Sequence, residues 1–193
     1  MDGYRTIHAY LTRKGYRTSR LTVHKYKNTK LKIYSIVRKR KPAYEYGEAH
    51  KVFENKLVQD FKADNINQKW CTDFTYLALA NGDKRYNCSI IDLYNRSIVA
   101  SITGKHITAA LAEETLQKAI DSQPGINTRR LMLHSDQGSQ YTSKEFTEYC
   151  TRLGITQSMS KAGYPYDNAP MERYFNTLKN ELINLHNYHT EKE

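Results

Sequence analysis

The run from Trp70 to Thr103 constrains this chain most, because it reads as three strands in immediate succession. Trp70–Leu79 is rich in aromatic and β-branched residues. Asn81-Gly82 follows, the dipeptide favoured in two-residue hairpin turns because both central positions take positive φ. Tyr86–Ile91 reads as the second strand, Asp92-Leu93-Tyr94-Asn95 as a turn, and Ser97–Thr103 as the third strand. Consecutive strands joined this tightly can only pair antiparallel, as a meander.

Beyond Thr103 the apolar period lengthens. Thr108 can cap a helix whose Leu111, Leu116, Ala119 and Ile120 form one stripe, ended by Pro124-Gly125, and Leu131–His134 is a short strand of the buried type. Thr142 and Glu145 have capping-box spacing, opening a helix that carries Phe146, Tyr149 and Leu153 and stops at Gly154. Ile155–Ser158 predicts a last strand. Asn168 and Pro170 start a final helix, with Phe175, Leu178, Leu182 and Leu185 as its buried seam. Three strands, helix, strand, helix, strand, helix fits an α/β fold: a mixed sheet with crossover helices over both faces.

The first third has another character. Residues 1–60 hold fifteen Lys and Arg against five Asp and Glu, which accounts for the whole formal charge of +10, while residues 61–193 hold fifteen of each. A basic block of this kind sets up a field that attracts phosphate. Tyr4–Lys14 suggests a short helix with Ile7, Tyr10 and Leu11 on one face, stopped by Gly15. Thr18-Ser19 can cap a second from about Arg20, with Leu21 and Tyr26 partly buried. Two basic helices around a glycine turn resemble a helix-turn-helix. Lys25, Lys27, Arg38, Lys39, Arg40 and Lys41 are the candidate phosphate contacts, the last four forming a basic run closed by Pro42. Val52–Ala63 predicts a connecting helix. The expected division is a basic DNA-binding module over 1–42, a linker over 43–68 and a core over 69–193.

Three acids in the core stand in unusual settings. Asp73 interrupts the aromatic strand, with Cys71 and Thr75 on its side and Trp70, Thr72 and Phe74 on the other. A charge there is disfavoured unless something charged meets it; a solvated face on an edge strand is the structural alternative. Asp136 lies where a buried strand opens into a loop, the usual place for ligand groups on an open sheet, and could equally form a turn beside Gly138. Glu172 lies in the first turn of the last helix, where the helix dipole favours a negative side chain. It is at the rim of the apolar seam, with Lys179 one heptad on. A strand interior, a strand end and a helix start can converge on one point. Carboxylates so gathered suit a hard divalent cation, Mg²⁺ above all. Two such ions serve in-line displacement at phosphorus.

Other candidates carry less. Asp92 ends the second strand and reads as a turn cap. His134 reads as a core histidine, or as one supporting a ligand residue, on the sheet face away from Asp136. Ser135 and Ser139 have no partnered His and acid, no Gly-rich nucleotide loop is present, and Cys71, Cys88 and Cys150 lack zinc spacing and fit reduced thiols. No apolar run approaches the ~20 residues of a membrane span.

Trp70-Cys71-Thr72-Asp73-Phe74-Thr75-Tyr76, His134-Ser135-Asp136-Gln137-Gly138-Ser139-Gln140-Tyr141 and Asp167-Asn168-Ala169-Pro170-Met171-Glu172 resemble the three signature blocks of the DDE transposase/retroviral integrase core. More specifically they resemble OrfB-type transposases of bacterial insertion sequences. The 35 residues between Asp136 and Glu172 match as well. The resemblance implies a ribonuclease H-like fold and metal-dependent DNA cleavage and strand transfer at element ends. It makes Asp73, Asp136 and Glu172 the catalytic metal ligands, for Mg²⁺ or Mn²⁺, two ions with DNA bound, and puts Lys179 at the position of a DNA-contacting lysine. It further implies double-stranded DNA as partner, a homo-oligomer on that DNA, and a bacterial cytoplasmic, nucleoid-associated protein with no membrane role. Family members usually continue past the catalytic helix with Tyr-Asn and Arg-Pro-His elements absent here, and Asp2-Gly3-Tyr4 looks like an interior start, so a truncated copy is expected. The rival readings are an inactive remnant that occupies element ends and a generic nuclease of the same fold.

Overall fold

The computed structural model describes residues 3–34 and 51–190. The chain divides into two compact units. One comprises residues 1–43 with 177–186, the other residues 44–176 with 187–193.

In the first unit, α1 (Tyr4–Arg13) and α2 (Arg20–Lys25) pack together, and a π-helical turn, Tyr26–Lys30, extends α2. Gly15 turns the chain at φ +87, and the Ser19 hydroxyl caps α2 by accepting from the Thr22 amide at 3.0 Å. Thr18 O meets the His8 ring at 2.9 Å, and Tyr4 and His24 stack edge to face. The apolar side of α2 differs from the expectation. Leu21 is 78% exposed and Tyr26 59%, whereas Val23 and Lys27, four apart on one helical face, are buried at 6% and 4%. Arg38–Lys41 lie outside the described residues.

The second unit is a five-stranded mixed sheet. β1 (Lys69–Ala78), β2 (Lys84–Asp92) and β3 (Ile98–Gly104) form the meander, and β4 (Met132–Ser135) and β5 (Thr156–Met159) add in parallel beside β1, giving the order β3-β2-β1-β4-β5. With α3 (Ala109–Asp121), α4 (Ser139–Thr142), α5 (Lys144–Arg152) and α6 (Ala169–Glu181) this is the expected α/β, ribonuclease H-like arrangement. One face of β1 and β4, with Trp70 and Leu133, packs on Leu116, Ala119, Tyr141, Phe146 and Cys150. β1 is therefore the central strand, which removes the edge-strand explanation of Asp73.

Four local expectations are corrected. The Asn81-Gly82 turn is longer than two residues. Gly82 N bonds Leu79 O and Leu79 N bonds Asp83 O, only Gly82 takes positive φ (+89), and Asn81 Oδ1 accepts from the Asp83 amide. This is a type I turn closed by a left-handed glycine, the three-residue hairpin solution. Ser143, not Thr142, caps α5, accepting from Phe146 N at 3.2 Å, because the Thr142 hydroxyl is engaged by Gly138 O at the end of α4.

No helix forms over Val52–Ala63. The amides of Lys56 and Leu57 donate to Ser158 Oγ at 2.9 and 3.1 Å, Phe53 N to Met159 Sδ, and Met159 N to Glu54 O. Bonds to the outer edge of β5 replace the i−4 bonds of a helix, and the segment covers that edge. The leucine seam also stops early. α6 ends at Glu181, a 3₁₀ turn over Ile183–Leu185 breaks its period, and Leu182 and Leu185 are 46% and 42% exposed.

Candidate functional site

The parallel ladder between β1 and β4 pairs Lys69 with Met132, Trp70 with Leu133 and Cys71 with His134. Carried two residues past the last pair, the same offset would set Asp73 opposite Asp136, which follows the end of β4 at Ser135. Asp73, within β1, and Asp136, just past the carboxyl end of β4, thus flank the point where the pairing of the two strands stops. Asp73 Oδ1 accepts from the Phe74 amide at 2.7 Å and Asp136 Oδ1 from the Gly138 amide at 2.9 Å. Burial pushes the Asp136 carboxyl above the usual carboxylate range, and the Gly138 hydrogen bond offsets only part of that.

Tyr141 lies close enough to both acids to register them. Burial raises its phenol well above the ordinary value, and the charges of Cys88, Asp73 and Asp136 add to the shift. Its hydroxyl is 3.0 Å from Thr72 Oγ1, whose own proton goes to Ser89 O. Tyr141 is therefore the donor, holding α4 onto the strand residue that precedes Asp73.

The start of α6 is tied to the same place. Asn168 Nδ2 donates to Thr72 O at 3.1 Å. The Asp167 carboxylate, 3% exposed, accepts from Asn55 Nδ2, Gln59 Nε2 and Lys161 N at 2.9, 2.9 and 3.0 Å. Burial acts to raise the Asp167 carboxyl, and the bonds from Gln59, Lys161 and Asn55 overcome it, so its pKa is lowered. Glu172 is four residues past Asn168, one turn along the helix, and is exposed beside the buried Met171 and Phe175. Asp73 and Asp136 thus flank the end of the β1–β4 ladder, and Glu172 lies one helical turn past the residue bonded to Thr72. Among the described residues, no three His, Cys, Asp or Glu side chains are gathered closely enough to hold a metal ion.

His134 sits deep beside this site. Ser158 Oγ accepts two backbone amides, Lys56 and Leu57, so its proton must go to His134 Nδ1 at 2.9 Å; Nε2–H is then left to donate to Ser160 Oγ at 3.1 Å. The ring is neutral, and burial holds its pKa down at about 4. Its strand position pairs with Cys71, two residues before Asp73, so on a period of two it shares the side of Asp73 and Asp136 rather than facing away. Asp92 is a pin, as expected of a cap. It accepts from Asn67 N, Trp70 Nε1 and Tyr94 N. Burial pushes the Cys71 and Cys150 thiols to about 12 and Cys88 to about 11, which leaves no thiolate nucleophile.

Of the candidate phosphate contacts, Lys25 is exposed, Lys179 is half-buried and engaged by other groups, and the burial of Lys27 removes it from the surface. Sequence reasoning missed Asn168, Asp167 and Tyr141. All three lie inside the quoted blocks, but their roles depend on partners 69 to 112 positions away. Among the described residues no helix is long and apolar enough to cross a membrane.

The chain is 35% identical over 95% of its length to InsK of insertion sequence element IS150 from Escherichia coli (strain K12), covering 63% of that protein. It is 37% identical over 72% of its length to the transposase for insertion sequence element IS904 from Lactococcus lactis subsp. lactis (strain IL1403), covering 54% of it. The chain thus spans between about half and two thirds of these relatives' lengths. In fold it is similar to a chain of the simian T-cell lymphotropic virus intasome solved with the PP2A regulatory subunit B56 gamma, at a TM-score of 0.52 and 21% identity, over 92% of this chain and 59% of that one. Residues 63–165, more than half of the sequence, match the integrase core domain family. With two acids at the strand fork and that match across the sheet bearing them, the chain belongs to the integrase core domain family, in company with insertion-sequence transposases of the DDE/integrase superfamily.

Proposed function

We propose that this chain carries the catalytic core of an insertion-sequence transposase, cutting DNA at element ends and joining those ends to a target. The observation that carries the reading is that Asp73 and Asp136 flank the end of the β1–β4 ladder, with the start of α6 bonded to Thr72. Family membership supports it, as do the relatives named as transposases.

Asp73, Asp136 and Glu172 are the residues that would hold Mg²⁺ or Mn²⁺, two ions when DNA is bound. The donor set fits: hard carboxylate oxygens suit these cations, and a carboxyl whose charge burial disfavours gains most from a cation beside it. Bound there, the cation would supply charge neutralisation at phosphorus and at the departing 3′-oxygen. In the first reaction a water oxygen attacks a phosphodiester and a 3′-hydroxyl leaves. In the second that hydroxyl attacks a target phosphodiester, forming one P–O bond as another breaks, so neither a covalent protein intermediate nor an external energy source is needed. The protein's contribution is positioning. Tyr141 and Asn168 tie α4 and the start of α6 to Thr72, the residue before Asp73, and Asp167 fixes the loop before α6.

The exposed basic residues of the first unit, Lys25 among them, would grip double-stranded DNA, as would Arg38–Lys41 and Lys179. Holding two element ends requires more than one copy of the chain, and action on bacterial DNA would place it at the nucleoid.

The test is nicking and strand joining on labelled element-end DNA with Mg²⁺. Asp136→Asn and Glu172→Gln should each lower both reactions by orders of magnitude while leaving DNA binding in place. Strand transfer at the wild-type rate in either variant would overturn the assignment.

A further inference from the structure

The β1–β4 ladder ends in an unusual way. Lys69 O accepts from Leu93 N and Gln68 O from Met132 N. Odd-numbered carbonyls of β1 therefore face β2, and even-numbered ones face β4. Continuing the repeat from Met132 N on Gln68 O, the Thr72 carbonyl is where the Asp136 amide would bond. The pairing stops one step short, at Cys71 with His134. The Thr72 carbonyl receives the side-chain amide of Asn168 instead, at 3.1 Å.

From this we infer that Asn168 is a positioning residue, a wedge whose amide stands in for the next ladder donor and so sets the gap between the strand positions that carry Asp73 and Asp136. The inference rests on the reading of those acids as cation ligands. Zipped one step further, β4 would draw Asp136 into the ladder and turn its side chain by the strand alternation rather than by the loop. Held off, Asp136 instead folds back to accept from Gly138 N.

A second observation supports a tuned position. Asn168 is 5% exposed, and among the described residues its Oδ1 is buried without a hydrogen-bond partner. Folded proteins rarely leave such an atom unsatisfied away from functional positions. A residue kept only to tie down α6 would not require it. Asn168 also lies one turn before Glu172, so a single amide fixes the strand fork and the helix bearing the third acid.

The test is Mn²⁺ binding to the purified chain without DNA, followed by loss of the free-ion electron paramagnetic resonance signal, with circular dichroism to verify folding. Asp136→Asn should abolish binding. Asn168→Ala should weaken it by about tenfold, the lower end of what loss of a ligand-supporting hydrogen bond costs a metal site. Asn168→Gln, which keeps the amide, should recover most of the loss. If Asn168→Ala does not fold, Asn168→Ser, too short to span to Thr72, is the replacement. Wild-type affinity in the Ala or Ser variant, with binding lost in Asp136→Asn, overturns the wedge alone. A Gln variant as weak as Ala does the same. No binding by the wild type, or undiminished binding by Asp136→Asn, overturns both the wedge and the cation-site reading beneath it.

Discussion

Replacing Asp136 by Asn should make the cation-free protein more stable while removing its activity. The Asp136 carboxyl is pushed upward by burial, so at neutral pH its charge opposes folding. Linkage fixes the sign. The folded state binds the proton more tightly than the unfolded chain, so stability is highest below the unfolded value, ~3.9, and declines as pH rises through the raised folded value. Each unit of upward shift corresponds to about 1.4 kcal/mol lost above that window. An asparagine keeps the Oδ1 that accepts from Gly138 N at 2.9 Å and forfeits only the charge contribution to that bond, about 0.5–1 kcal/mol. The net expectation is a more stable Asn variant at neutral pH, each kcal/mol gained raising the melting temperature by roughly 2–4 °C for a chain of this size. Asp136→Ala, which loses the Gly138 bond altogether, should gain less or become less stable. Thermal unfolding followed by circular dichroism at pH 7 and pH 4 is the assay, and the advantage of Asn over Asp should shrink at pH 4. Equal destabilisation by Asn and Ala at neutral pH would refute the reasoning, because it would mean the Asp136 charge is satisfied in the folded state without a cation.

Three further outcomes follow from particular contacts. His134 is held neutral with a pKa of about 4 against an ordinary 6.5, so the unfolded chain takes up its proton first; stability should fall by on the order of 3 kcal/mol as pH drops from 6.5 towards 4, and His134→Gln should flatten that slope in pH-dependent urea unfolding. Tyr141→Phe removes the donor to Thr72 Oγ1 but leaves the Thr72 bond to Ser89 O intact, so denaturant titration should show a loss of about 1 kcal/mol; a loss beyond about 3 kcal/mol would mean that the hydroxyl supports more than this bond. Lys25→Ala should lower the slope of log affinity for DNA against log salt by about 0.9. Lys27→Ala should leave that slope unchanged, because Lys27 is buried, and equal effects would return Lys27 to the DNA-facing side.

Much of the candidate site was legible because two of its acids stand in unusual settings and the three blocks resemble a known family. Asp73 stands in an aromatic strand and Asp136 where a buried strand opens. Glu172 begins an amphipathic helix, and the spacing among these blocks is distinctive. Helix caps at Ser19 and Thr108 were equally legible, being bonds to an amide three residues on. Where the reading failed, distant groups had claimed the local ones. Val52–Ala63 has helical spacing, but Ser158 and Met159 on β5 take its amides. The leucines after Glu181 keep their period on paper and lose it where the helix breaks.

The sequence by itself therefore determined the order of elements, the three acids and the basic character of the first sixty residues, since each follows from chemistry within a few positions along the chain. Only the tertiary structure decided that β1 is the central strand and that its pairing with β4 stops just short of Asp73 and Asp136. It also decided that one asparagine side chain occupies the end of their ladder. The place of β4 beside β1 comes from a pairing across 63 residues, and no local pattern encodes which distant carbonyl a side-chain amide will reach.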